Sequence, residues 1–219
     1  MRRLLDPIHA FLKTRWFYPA VFAGCAAPAL SLAWRTYTGD LGVNPVETLL
    51  HETGKDALAV LLITLAITPI RRLTGWNRIQ IVRRMMGLWA FVYALSHFTI
   101  YVVFDQVCFS FETCQLQTIV DDVFKRKFIF VGMLALSILF VLAVTSTNGM
   151  IRRLGRSWQR LHRLVYVAAI AGVVHFVWGQ KSDISEPLMW AGWLVLMLGL
   201  RVFFTLRKRA AKRTSPVTA

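Results

Sequence analysis

Residues Gly155–Phe176 read GRSWQRLHRLVYVAAIAGVVHF: Arg156, Arg160 and Arg163 at one end, then an apolar run, with His162 at its foot and His175 near its far end. A basic foot below an apolar run is the pattern of a helix entering a bilayer from its positively flanked side. Outward from this stretch, similar apolar blocks fill the 219-residue chain, 56% of which is hydrophobic. A hydrocarbon core of about 30 Å takes roughly 20 helical residues to cross. Six blocks approach that length, near Trp16–Trp34, Leu50–Ile70, Met85–Phe104, Phe128–Thr147, Leu164–Trp178 and Leu188–Leu206. The fifth reaches it if the polar residues before Leu164 continue the helix. The expected fold is all-α, a polytopic membrane bundle of six transmembrane helices spanning 16–206, with a leader over 1–15 and a basic tail over 207–219.

The net charge of +15 is distributed by side. Most of the 26 basic residues fall in four places: the amino terminus, the Arg71–Arg84 connection, the Arg152–Arg163 connection and the carboxyl-terminal tail. Of the 11 acidic residues, only Asp6 joins them. The positive-inside rule then puts both termini in the cytoplasm. The basic excess is a topology signal, and nucleic acid is not an expected partner. Basic residues followed by WFYPAVFAGCAAPA also fit a cleavable signal peptide. That run is broken by Pro19 and prolonged by Leu30–Trp34, so a retained first span is expected.

Of three cysteines, Cys25 lies in the first span, and Cys108 and Cys114 share the outer loop Asp105–Lys127. A disulfide is chemically permitted there, as are two free thiols. No CxxCH occurs, so covalent haem attachment is not expected. That outer loop, the longest connection, carries Asp121, Asp122, Phe109, Phe111 and Phe124; it is either a docking surface for an outer partner or an ordinary loop on the bundle.

Depth sorts the five histidines. His9 is in the leader and His51 heads the second span at the outer surface. At about 1.5 Å per residue, His97 lies roughly 20 Å above the basic foot of the third span, and His175 lies equally high in the fifth. Two imidazoles at equal depth on different helices suit axial ligation of one b-type haem from both sides. Small residues lie three, four and seven positions before His175 (Gly172, Ala171, Ala168), and Ala94, Tyr93 and Ala90 hold those places before His97. Such faces leave room for a porphyrin; they also occur wherever membrane helices pack closely. His162 and His175, 13 positions apart, differ by roughly 220° of helical phase and cannot share one haem. A second haem at His162 needs a partner near position 83, where Arg83, Arg84 and Met85 stand. His162 is therefore open between a second haem, a quinone contact, a haem propionate and a helix foot. Arg83, Arg84, Arg160 and Arg163 either hold propionates or an electron donor, or bind anionic headgroups. Acidic residues are nearly absent from the spans, which argues against cation transport.

Three stretches carry a resemblance: GVNPVETLLHETGKDALAVLLITLAITPIRR, RRMMGLWAFVYALSHFTIY and TSTNGMIRRLGRSWQRLHRLVYVAAIAGVVHFVW. Together they resemble the MsrQ family, the haem-binding membrane subunits of bacterial periplasmic methionine-sulfoxide reductase systems, within the ferric-reductase-like group of NADPH oxidases and STEAP reductases. The resemblance implies His97 and His175 as haem b ligands and ties His162 to haem binding. The inner histidine that the larger oxidases carry on the third helix is replaced here by arginine or methionine. The resemblance further implies FMN, electrons from the quinone pool or a soluble cytoplasmic flavin reductase, an inner-membrane location, and a periplasmic molybdopterin-containing methionine-sulfoxide reductase (MsrP) as partner. No GxGxxG follows a strand pattern, so electrons are expected from another molecule. The rivals are a stand-alone transmembrane ferric or cupric reductase and a non-redox transporter or assembly subunit.

Overall fold

A computed structural model of the chain describes residues 12–105, 116–180 and 183–214. His9, Cys108 and Cys114 lie outside the described residues, as do Phe109 and Phe111. The helices are α1 (Phe17–Tyr37), α2 (Pro45–Thr74), α3 (Arg83–Ile100), α4 (Leu116–Lys125), α5 (Lys127–Val144), α6 (Asn148–Leu154), α7 (Arg156–Leu161), α8 (Val165–Gly179) and α9 (Ser185–Thr214). Six segments are long and apolar enough to cross a membrane: α1, α2, Asn77–Phe104, α5, Arg156–Gly179 and Ser185–Lys208. They coincide with the six apolar blocks. The fifth is completed as expected, because α7 and a short 3-10 turn over His162–Leu164 prolong α8 at its basic foot.

Local chemistry sets the ends. Asn44 caps α2, its side chain accepting from the Glu47 N–H and donating to the Glu47 carboxylate at 2.9 Å, with Pro45 opening the first turn. Gly75 closes it at φ 76°, a left-handed position that favours glycine. Between Asp105 and Lys127, where the sequence suggested only a loop, α4 forms. Its sequence, LQTIVDDVFK, repeats apolar residues every three or four positions, enough for a helix lying along a surface. The last span does not stop at Leu206; α9 runs on to Thr214 through arginine, lysine and alanine, all good helix formers.

Helices α2 and α3 pack as one antiparallel pair and α5 and α8 as another. Contacts of α3 with α5 and of α2 with α8 close the four into a ring, with α1 against α2 and α3, and α9 against α2 and α8. Leu58, Leu61, Leu65, Ala90, Leu139, Ala168 and Ala169 are buried at the centre. Leu134, Phe140, Ile170, Val195 and Phe203 face outward, as expected where the surroundings are lipid. Apolar surface gains little by leaving lipid for protein, so close packing and internal hydrogen bonds must hold the helices together.

Two prolines interrupt span backbones, Pro28 in α1 and Pro69 in α2. Pro69 has no N–H, so the Leu65 carbonyl one turn earlier loses its helical donor. Arg201 of α9 donates to that carbonyl from Nη2. Near Pro28, the Tyr93 hydroxyl is inserted into α1, donating to the Cys25 carbonyl at 2.6 Å and accepting the Ala29 N–H at 3.1 Å. Arg201 thus restores a backbone bond that lipid cannot supply, and Tyr93 bridges the Cys25 carbonyl and the Ala29 N–H beside Pro28.

Candidate functional site

His97 stands on the last turn of α3 and His175 in the last turns of α8, each at the end of its helix away from the arginines. Their rings face each other with centroids 6.0 Å apart and planes at 85°. Each ring is oriented in the same way by the helix its own helix pairs with. His97 Nδ1 lies 2.9 Å from the Leu50 carbonyl of α2, and His175 Nδ1 lies 2.7 Å from the Phe128 carbonyl of α5. The two bonds span the same sequence separation of 47 residues. A carbonyl oxygen can only accept, so Nδ1 carries the proton and the Nε2 lone pair of each neutral ring is left for a metal.

A glycine sits one helical turn beyond each acceptor. A Cβ at Gly54 would lie 3.1 Å from His97 Nδ1, and one at Gly132 only 2.7 Å from His175 Nδ1. Real Cβ atoms essentially never approach as closely as at Gly132, and the Gly54 distance is tighter than most real contacts, so the imidazoles rest on bare backbone. The sequence reasoning passed over both glycines. Their signal is the matched interval: Gly54 precedes His97 by the same number of residues as Gly132 precedes His175.

The rings border a cavity of about 660 Å³, lined largely by apolar side chains including Leu58, Leu61, Phe98, Leu136, Leu139 and Phe176. Pockets for large organic ligands commonly fall in this size range. Ala94, Ala168 and Gly172 line it as the sequence suggested. Ala90 and Ala171 are buried but do not line it, and Tyr93 is committed to α1. Polar residues gather at its end away from the arginine-rich connections: Asn44, Glu47, His51, Lys55, Arg126 and Gln180. Lys55 pairs with Glu186 at 3.1 Å and Arg126 with Asp122 at 3.1 Å. Arg83, Arg84, Arg160 and Arg163 are not part of this lining.

The donor set suits a metal bound between the rings. Two metal–imidazole bonds of about 2 Å, plus roughly 1.2 Å from each nitrogen to its ring centre, would separate the centroids by about 6.4 Å. The observed 6.0 Å is close to this. No group of three or more His, Cys, Asp or Glu converges among the described residues. Two imidazoles alone would leave a metal short of ligands, and a haem held by His97 and His175 would bring the rest itself.

His162 is held apart from this pair. Its ring stacks on Trp158 at 3.8 Å, its Nδ1 lies 3.1 Å from the Trp158 carbonyl and its Nε2 lies 3.3 Å from Ser146 Oγ. Both ring nitrogens have protein partners. Arg84, on the neighbouring third span, donates instead to the side chain of Asn148.

A ring of membrane helices that brings two imidazoles together across a largely apolar cavity defines a polytopic membrane protein with a paired-histidine site. The ferric reductase like transmembrane component family matches residues 53–173. A protein of Herminiimonas arsenicoxydans named protein-methionine-sulfoxide reductase heme-binding subunit MsrQ is 44% identical over 87% of this chain and 86% of its own. Proteins of the same name from Rhodospirillum rubrum (45% identical, 89% and 91% of the two chains) and Xanthomonas campestris pv. campestris (43%, 91% and 93%) agree. The chain is a multi-pass membrane protein and belongs to the MsrQ family of ferric-reductase-like transmembrane proteins.

Proposed function

We propose that this chain is the membrane electron-transfer subunit of a methionine-sulfoxide reductase system, holding one haem b between His97 and His175. The facing pair of imidazoles, each fixed by Nδ1–H to a carbonyl of a neighbouring helix, carries this reading. When bound, the haem supplies reversible one-electron chemistry at its iron, with a potential set by its ligands and burial. The Leu50 and Phe128 carbonyls hold each ring in the tautomer that presents Nε2 and raise its basicity. Gly54 and Gly132 give the rings room, and the leucine and phenylalanine walls exclude water. Lys55 and Arg126 at the cavity mouth are the cations best placed to hold the haem carboxylates.

His162, with both ring nitrogens engaged, serves as the inner foot of the fifth span, and one haem per polypeptide is the expected count. The arginine-rich end and both termini face the cytoplasm of a bacterial inner membrane, with residues 16–206 forming the haem-binding domain. Electrons enter from that end, from the quinone pool or a soluble flavin reductase, with FMN as a further carrier. They leave at the opposite end to the periplasmic molybdopterin subunit MsrP. The names of the relatives favour this acceptor over the free metal of a stand-alone ferric or cupric reductase.

A reduced-minus-oxidised spectrum of the purified protein with haem quantitation tests the reading. One b-type haem is expected, lost in His97→Ala and in His175→Ala and kept in His162→Ala. Retention in both of the first two variants sinks the ligand assignment, and two haems per chain sinks the count. Reduction of ferric chelates with none of the periplasmic enzyme would favour the rival.

A further inference from the structure

At the arginine-rich end, the described residues include buried positive charge with no salt-bridge partner among them. Arg201 lies on α9 about 9 Å inside Arg207, deep enough for a bare charge to be costly. Its partners are neutral: Nη1 donates to the Tyr166 hydroxyl, Nη2 to the Leu65 carbonyl, and the guanidinium lies 5.1 Å from the Tyr166 ring centre. Its Nε is buried with no hydrogen-bond partner, and so are Arg71 Nε and Thr68 Oγ1. Buried polar groups in folded proteins are rarely left unmet, and several close together call for a missing partner.

Arg71 stands one turn from Thr68 along α2. Leu65, Thr68 and Arg72 lie at i, i+3 and i+7 on one face of α2. That face meets α9 at both ends, since Arg201 bonds Leu65 and the Arg72 guanidinium lies 5.8 Å from the Phe204 ring centre. Thr68 is therefore between two contacts with α9. Arg72 and Arg83 are near enough for their charges to act on Arg201. Among the described residues no salt bridge offsets them: Lys55–Glu186 and Arg126–Asp122 are both at the opposite end.

We propose that Arg71, Arg72 and Arg201, with Thr68, form a binding site for a phosphate ester between α2 and α9 at the arginine-rich membrane face. Guanidinium groups match phosphate oxygens in charge and in donor geometry. An anion with several acceptor oxygens would answer the unmet Nε donors and the Thr68 hydroxyl together and neutralise Arg201. Two sources share this chemistry: the phosphodiester of a lipid headgroup entering from the bilayer, and the phosphomonoester of a small molecule entering from water. The site is independent of what His97 and His175 hold.

The test uses the full chain, purified and exhaustively delipidated in a maltoside detergent, which contributes no phosphorus. Tm is followed on addition of dioctanoyl phosphatidylglycerol, glycerol 3-phosphate, or dioctanoylglycerol as a phosphate-free control. A rise of roughly 5–10 °C is expected at about 100 times Kd with a phosphate ligand and none with the control. A response to the diester alone identifies lipid as the source, and a response to the monoester identifies a soluble one. Arg201→Gln and Arg71→Gln should each lose most of the rise. Should Arg201→Gln fail to fold, Arg71→Gln decides the matter. No rise in the unaltered protein, an equal rise with the control, or a full rise in the folded variants overturns the proposal.

Discussion

At the scale of single residues, Gly54 and Gly132 set how closely a helix backbone approaches an imidazole. Alanine at either place improves helix propensity by about 1 kcal/mol, yet its methyl meets a ring. At Gly132 the clash is the worse, 2.7 Å from Nδ1 and 2.9 Å from Cε1, against 3.1 and 3.2 Å at Gly54. The Phe128 carbonyl bond holds the His175 ring there, so relief requires the ring to swing away. Gly132→Ala should therefore lower haem content severalfold while the haem-free protein stays as stable as before or gains stability. Gly54→Ala should do the same more weakly. Haem per polypeptide and Tm after haem extraction check both, and equal full haem loading in the two variants would refute the steric argument. His97 and His175 were legible in the sequence because depth can be counted along a helix. The glycines were not, because small residues are common in spans, and only their matched intervals before the histidines single them out.

At the scale of elements, what the sequence hid is how broken helices are mended. Pro28 and Pro69 are plain to read, but nothing local to them says that Tyr93 serves α1 or that Arg201 serves α2. Counting back from His97 gave Tyr93 a place beneath the haem; the structure turns its hydroxyl into the opened turn of α1 instead, bonded to Cys25 and Ala29. Those partners are about 65 residues away in sequence, beyond the reach of any local pattern. Tyr93→Phe keeps the ring among Trp89 and its neighbours but leaves a buried N–H and carbonyl less well satisfied. The expected cost is about 1–3 kcal/mol, read as a lowered Tm in detergent with the b-type spectrum unchanged. An unaltered Tm would show that α1 restores its own Ala29–Cys25 bond without help. A lost spectrum would place Tyr93 at the haem after all.

At the scale of the whole molecule, the number and approximate places of the spans were legible because bilayer thickness fixes how long an apolar block must be. The closing of α2, α3, α5 and α8 into a ring was not, since lipid-facing and helix-facing positions draw on the same apolar residues. The paired depths of His97 and His175 were the one clue to which helices meet. Their level also divides the bilayer unequally. His97 stands roughly 20 Å from the arginine-rich end of a core about 30 Å thick, leaving about 10 Å to the opposite surface. The cavity opens toward that nearer surface through Asn44, His51, Lys55 and Gln180. Electron exchange across protein slows steeply with distance, so an acceptor at the nearer face has the advantage over one at the arginine-rich face. Ferricyanide, which does not cross membranes, should oxidise the reduced b-type centre of right-side-out spheroplasts rapidly. In inverted vesicles, which present the arginine-rich face in the proposed orientation, oxidation should be slower by at least about tenfold. Stopped-flow absorbance at the b-type band measures both rates in matched preparations. Equal rates, or faster oxidation in the inverted vesicles, would mean that the centre lies deeper than the two histidines place it or that the chain is inserted the other way round.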